Sequence, residues 1–341
     1  MTEKQYSGST GREVKGKNID AKKINKPQST PSKPQISDNN LSSSTSSSIE
    51  GYNDYIKAGK IASQVVQFAK SIIKKDLPLL EIANNVEAKI IELGGKLAFP
   101  VNLSINEIAA HYTPTFNDTT KAHGLLKVDI GVHVNGHIAD TAFSIDLENS
   151  DENKKLIESA ELALKNAISI LNTKTKIRDI GKEIEKAIKS KGFQPIINLC
   201  GHSLEPYQLH SGVTIPNCDN HQEAEISSSV FAIEPFSTAG FGCVRDGKPS
   251  GIYHLEKEGS VRDSFAREVL AFIEEEYQTL PFSSRQIYKK FGSRGLLALK
   301  RLEDAGLLHH YPQLIEKSGA KVAQAEHTIL LTEKEKIVTT A

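Results

Sequence analysis

The stretch KVDIGVHVNGHIADTAFSI, from Lys127 to Ile145, decides the fold. Its centre is Asn135-Gly136, the pair best suited to a two-residue type I′ turn, where both central residues need positive φ. Before the turn, Val128, Ile130, Val132 and Val134 alternate with other residues, the pattern of a strand with one buried face. With the turn at Asn135-Gly136, Val134 pairs with His137, Gly131 with Asp140 and Asp129 with Ala142. Directly opposed residues share a face of a sheet, and so do residues two apart. Asp129 and Asp140 then emerge on one face as diagonal neighbours about 7 Å apart. Only Gly131 and Ala142 stand opposite them, and both are small. Two carboxylates aimed at one space repel each other. A metal ion between them removes the conflict; a solvated polar face is the plainer alternative.

The chain has 341 residues, room for one large domain or two smaller ones. Lys plus Arg is 42 and Asp plus Glu is 42, so bulk charge points to neither nucleic acid nor an anionic membrane as partner. Cys200, Cys218 and Cys243 fall in no zinc or redox spacing and suit a reducing compartment without disulfides. No apolar run reaches membrane-spanning length. The N-terminal stretch lacks the apolar core of a secretory signal, so a cytoplasmic location is expected. Residues 1–50 are rich in Lys, Ser, Pro, Gln and Asn and end in LSSSTSSSIE. That composition buries too little apolar surface to offset chain entropy, and a disordered tail is expected. A mildly basic arm for ribosome or RNA contact is one use for it, a solvated extension the simpler one.

From Gly51 onward the pattern is helical. Tyr55, Ile56, Ile61, Ala62, Val65, Val66, Ala69, Ile72 and Ile73 form an apolar stripe at helix spacing. A second helix from Leu79 to Leu93 stops at Gly94-Gly95. The plan then returns: a helix over Glu152–Leu171, another over Ile177–Lys191, and a stop at Gly192. Aligning LLEIANNVEAKIIELGG with IRDIGKEIEKAIKSKGF sets Ile82 on Ile180, Glu87 on Glu185, Ile90 on Ile188 and Gly94 on Gly192, in one register. Each repeat later carries an extended stretch ending in a histidine, His111 and His210. Two similar halves facing each other would leave a cleft between them, where ligand sites usually sit.

Further polar residues stand at strand ends. NLCGHSLEPYQLHSG holds His202 and His210. Glu234 follows the apolar run Val230–Ile233, and Glu326 precedes Ile329-Leu330-Leu331. A carboxylate at the end of a buried strand is costly unless paired or metal-bound. Two Asp, two Glu and one His suit hard to borderline divalent ions such as Mn²⁺, Fe²⁺, Co²⁺ or Zn²⁺. Five protein ligands, some bridging, are about what two adjacent ions need, and such a pair serves hydrolysis.

KVDIGVHVNGHIADTAF, NLCGHSLEPYQLH, VFAIEPF and AQAEHTILLT together closely resemble the type II methionine aminopeptidases, the archaeal and eukaryotic class of metallopeptidase family M24. AFPVNLSINEIAAHYTP, from Ala98 to Pro114, resembles their signature as well. The resemblance runs from about Tyr52 to the C-terminus. It implies an α/β architecture, the pseudo-twofold pita-bread fold, which suits the repeat. It implies two divalent metal ions (Co, Mn, Fe(II) or Zn) held by Asp129, Asp140, His202, Glu234 and Glu326. Asp140 and Glu326 would bridge, and Glu326 could take a proton from the attacking water. His111 and His210 would contact the scissile peptide, steady the tetrahedral intermediate and help the amine leave. Phe99, Leu209, Tyr311 and Leu314 match positions that wall the methionine pocket, although ordinary core packing would also account for them. His254 lies near another pocket histidine of relatives, in a stretch of ambiguous alignment, and is not counted. Cys200 and Glu205 depart from the family's usual Asn and Gly.

Between 262 and 322 the pattern changes to helices over Arg262–Tyr277, Ser283–Phe291 and Ser293–Ala305, then GLLHHYPQLIEKSG as short strands and turns. This is a winged-helix plan, an insert in a catalytic domain of 51–261 and 323–341. Glu303 and Asp304 beside Lys300 and Arg301 argue against a basic footprint on DNA. The resemblance assigns the insert to type II enzymes, lining the pocket. The expected protein is a monomeric aminopeptidase that takes the initiator methionine from nascent chains whose second residue is small. An X-Pro aminopeptidase or dipeptidase on the same fold is the enzymatic alternative, and a non-catalytic ribosome- or RNA-binding homologue the other.

Overall fold

The structure is a computed structural model that describes residues 49–341. The tail expected over 1–50 therefore lies, but for its last two residues, outside the described residues. The hairpin forms as read. Strands Leu125–Val134 and His137–Asp146 pair antiparallel with Val134 opposite His137, Gly131 opposite Asp140 and Asp129 opposite Ala142. Asn135 and Gly136 take φ 49° and 87°, as a type I′ turn demands. Val128, Ile130 and Val132 are fully buried, each worth about 1.5–3 kcal/mol relative to exposure. A one-residue slip would turn that whole row to the other face. On the acidic face, Gly131 is required by close approach. A Cβ there would stand 2.3 Å from the Phe99 ring.

Helices α1 (Tyr52–Ile72) and α2 (Leu79–Glu92) pack on the apolar face of this hairpin in one core. Helices α3 (Asp151–Ile170) and α4 (Ile177–Ser190) do the same in the second half. Ser150 caps α3 by accepting from Asn153 N, and Asp151 and Glu152 sit in the first turn, where the helix dipole favours anions. The core of α3 and α4 takes Phe231 and Ile233 from strand Ser229–Ile233, and Ile329 and Leu331 from strand His327–Leu331. Those two strands pair with Ile233 opposite His327, so Glu234 and Glu326 flank the same end of the pair.

The repeat read from the sequence has a physical counterpart at equivalent places. Ile82, Ile90, Ile180 and Ile188 are all fully buried. Gly94 and Gly192 end their helices at φ 82° and 83°. Before α2, Leu77 O accepts from Ala122 N at 2.8 Å; before α4, Thr175 O accepts from Ile226 N at 2.9 Å. Even the aligned acids act alike, Glu87 accepting from Val101 N at 3.3 Å and Glu185 from Asp219 N at 3.2 Å. The halves meet where Glu326 N donates to Ala142 O at 2.9 Å.

Residues beyond 262 form α5 (Ser264–Glu276) and α6 (Ser284–Asp304). α6 breaks at Gly292 (φ 63°, ψ −156°), between the second and third helices of the sequence reading. The short strands and turns expected after Gly306 are instead one nine-residue strand, Leu308–Glu316. It pairs with Val244–Leu255 and, at Leu314 and Ile315, with Ile108–Ala110. Pro312 faces Pro249 where the register shifts. The proline thus sits at an irregularity, where a missing N–H is tolerated, and the strand runs on past it.

Candidate metal centre

Five elements deliver the acidic site. Asp129 and Asp140 come from the two strands of the hairpin, His202 from the end of strand Cys200–His202, and Glu234 and Glu326 from the paired strand ends of the second half. His202 Nε2 stands 3.7 Å from Asp140 Oδ2 and 3.6 Å from Glu234 Oε1. Donor atoms of Asp140, His202 and Glu326 all lie within 4.8 Å of one another. Asp129 and Asp140 share one face of the hairpin as diagonal neighbours, each opposite a small residue, Ala142 and Gly131.

The electrostatics of this cluster are unresolved by the protein alone. Burial, then the charges of Asp129 and Glu234, push Asp140 well above the usual carboxylate range. Burial and the charge of Asp129 raise Glu234 likewise. Glu326 is raised by burial and then by Asp140, Glu234 and Asp129. Burial raises Asp129 to about 7. His202 cannot neutralise them. Burial, with His210 beside it, pushes its pKa down to about 3, so its contacts with the acids are not ion pairs. The Oδ1 atoms of Asp129 and Asp140 are buried and have no hydrogen-bond partner. Leaving charged oxygens so is costly. Four acids, a neutral imidazole and orphaned buried oxygens fit divalent cations, which accept this donor set.

A surrounding layer holds the acids in place. Thr328 Oγ1 accepts from Asp140 N and donates to Asp140 O, both at 2.7 Å. Thr141 Oγ1 donates to Glu326 O at 2.9 Å, and Gln324 Nε2 to Glu326 Oε2 at 3.3 Å. Gln324 and Thr328 were missed in the sequence. Their signal was there, two residues before and after Glu326 in AQAEHTILLT, hence on its face of the strand.

The acids floor a cavity of about 460 Å³ that His111, His210, Phe99, Leu209, Tyr311 and Leu314 also line. Ile252, Phe236 and Pro281 add apolar wall that sequence reading missed. Their partners are far away in sequence and leave no local pattern. His111 adopts a left-handed backbone, φ 63°. Its Nδ1 lies 3.2 Å from Pro312 O. Only a protonated nitrogen can bond to a carbonyl, and burial lowers the ring's pKa to about 4. The neutral ring thus leaves Nε2 as an acceptor. The His210 ring is 4.2 Å from that of His202, and burial lowers its pKa too. Cys200 lines the cavity, whereas Glu205 is exposed and pairs with Gln208 in a turn. His254 stands behind Tyr311, ring centroids 5.1 Å apart, and is not on the cavity wall.

Fold and site together define a metallopeptidase, and the model of metallopeptidase family M24 matches residues 53–333. A methionine aminopeptidase of Pyrococcus horikoshii is 45% identical over 292 residues, covering 84% of this chain and 98% of that protein. The chain belongs to the methionine aminopeptidases of that family. It is a hydrolase that removes N-terminal methionine. Among solved structures, a thermophilic Arx1 superposes with TM-score 0.72 at 14% identity, covering 86% of this chain and 91% of the other. The methionine aminopeptidase of Thermotoga maritima superposes with TM-score 0.61 at 19% identity, covering 84% and 95%. At these identities the likeness is one of fold. Among the described residues no helix is long and apolar enough to cross a membrane.

Proposed function

We propose that the chain is a type II, dinuclear methionine aminopeptidase acting on nascent chains whose second residue is small. Asp129, Asp140, His202, Glu234 and Glu326 would hold two divalent ions. Bound there, the ions supply an activated water nucleophile and polarise the scissile carbonyl. Glu326 takes a proton from the attacking water. His111, neutral and protonated on Nδ1, offers Nε2 to the N–H of the scissile peptide. His210, across the site beside His202, steadies the oxygen that gains charge and helps the amine depart. The methionine side chain enters the apolar end of the cavity, between Phe99, Leu209, Tyr311 and Leu314. We take 51–261 with 323–341 as the catalytic unit and 262–322 as its winged-helix-like insert.

The observation that carries this reading is the single cavity in which uncompensated buried acids meet neutral histidines and an apolar wall. Hydrolysis assays decide it. Methionine is expected from Met-Ala-Ser, with little from Met-Lys-Ser and no cleavage of Ala-Pro. Cleavage of Ala-Pro without methionine release would transfer the chain to the X-Pro peptidases. Ribosome binding with no peptidase activity in Mn²⁺ or Co²⁺ would make it a non-catalytic homologue.

A further inference from the structure

Besides strand pairing, the insert reaches the catalytic unit through a buried cation. Arg285 lies in the first turn of α6 and is 5% exposed. Its place is fixed on both sides. Ser283 and Gln286 close a capping box around it, and Phe282 and Ser283 pair with Tyr253 and Ile252. Its guanidinium divides between two segments. Nη1 donates to Pro114 O at 2.8 Å and to Thr113 Oγ1 at 3.3 Å. Nη2 pairs with Glu87 of α2, whose Oε1 also accepts from Val101 N at 3.3 Å.

Both segments matter to the site. Thr113 and Pro114 follow His111, and Val101 lies between the cavity residues Phe99 and Asn102. The two are stitched together as Thr113 Oγ1 donates to Val101 O at 2.9 Å and Leu103 N to Tyr112 O at 2.6 Å. One turn along α6, Tyr288 stacks on Phe116 with centroids 3.7 Å apart. His111 itself sits at φ 63°, a region that costs a non-glycine residue free energy and persists only where its surroundings impose it.

We propose that Arg285 is a positioning residue for the reaction. It locks the turn after His111 against α2, and the insert acts as a buttress for the catalytic histidine. This rests on the reading that His111 contacts the scissile peptide. Lysine cannot replace Arg285, because reaching Pro114, Thr113 and Glu87 together needs a planar fork of donors.

Kinetics on metal-loaded full-length protein test the role. Arg285→Met alone strands the Glu87 charge and risks misfolding, so it is combined with Glu87→Gln, which keeps an acceptor for Val101 N. For this double variant the expected result is near wild-type melting, KM for Met-Ala-Ser within about threefold, and kcat down by about 30- to 100-fold, the scale of a small misplacement of a catalytic group. Amide exchange at Val101 and Leu103, whose N–H groups bond Glu87 and Tyr112 O, should accelerate in step. Arg285→Lys, which retains the charge beside Glu87, should fold and lose about tenfold in kcat with faster exchange over the same residues. Wild-type kcat and exchange in either folded variant would overturn the proposal. His111→Ala separates the two layers of inference. If it abolishes turnover while the Arg285 variants keep theirs, only the buttress falls; if it leaves kcat unchanged, the role of His111 falls and takes the buttress with it.

Discussion

Asp140 stands in a poorly balanced electrostatic environment. It is 3% exposed, its Oδ1 has no hydrogen-bond partner, and it faces Asp129, Glu234 and Glu326. In a metal-free protein at neutral pH that carboxylate opposes folding; in a loaded one, on the proposed reading, it would be a ligand. Asp140→Asn keeps the shape and removes the charge. Without metal the variant should melt above the wild type at pH 7.5. With Mn²⁺ it should melt below it and release no methionine. Paired melting curves check this, and a metal-free variant melting lower than the wild type would contradict it. Gly131, directly opposite, has its own constraint, since only a residue without Cβ leaves the Phe99 ring where it lines the cavity.

The paired strands of the two halves are the elements that aim the proposed ligands. Thr328 joins them by bonding both the N–H and the C=O of Asp140. Thr328→Val retains volume and loses both bonds, which should cost about 1–3 kcal/mol on denaturant unfolding. Metal affinity should fall by about 10- to 100-fold, as for other groups that orient ligands. An unchanged affinity by calorimetry would show that Asp140 needs no such support. At this scale the sequence was legible wherever a local signal existed. Asn135-Gly136 gave the hairpin register, and with it the shared face of Asp129 and Asp140. Apolar runs bounded by an acid located Glu234 and Glu326 at strand ends. Gln324 and Thr328 carried only a period-two signal that their residue types did not advertise. GLLHHYPQLIEKSG reads as short strands and turns, and only pairing with Val244–Leu255 shows one strand whose register shifts at Pro312. The contact of Arg285 with Glu87, 198 positions apart, leaves no local trace at all.

At the scale of the whole molecule, two duplicated halves enclose acids whose mutual repulsion the fold does not relieve, so metal and stability are linked. The carboxyl pKa values in the cluster are raised, that of Asp129 to about 7 from 3.8. A raised acid stabilises the folded state below its unfolded pKa, and that stability is lost as pH rises through the folded value. Metal-free protein should therefore lose the contribution of Asp129 between about pH 4 and 7. Bound cations would cancel the loss, so the gap in Tm between loaded and metal-free protein should widen as pH rises through that window. Comparing the two forms removes the opposing effect of His111 and His133, whose burial lowers both to about 4. The central claim is that the acids and His202 hold the cations that make this cavity a peptidase. Calorimetric titration of chelated protein with Mn²⁺, followed in the same samples by methionine release from Met-Ala-Ser, tests it most directly. The expected result is two ions per chain at saturation, release that is absent after chelation and returns with loading, and loss of both in Asp140→Asn. Full release from metal-free protein, or binding that Asp140→Asn leaves intact, would contradict it.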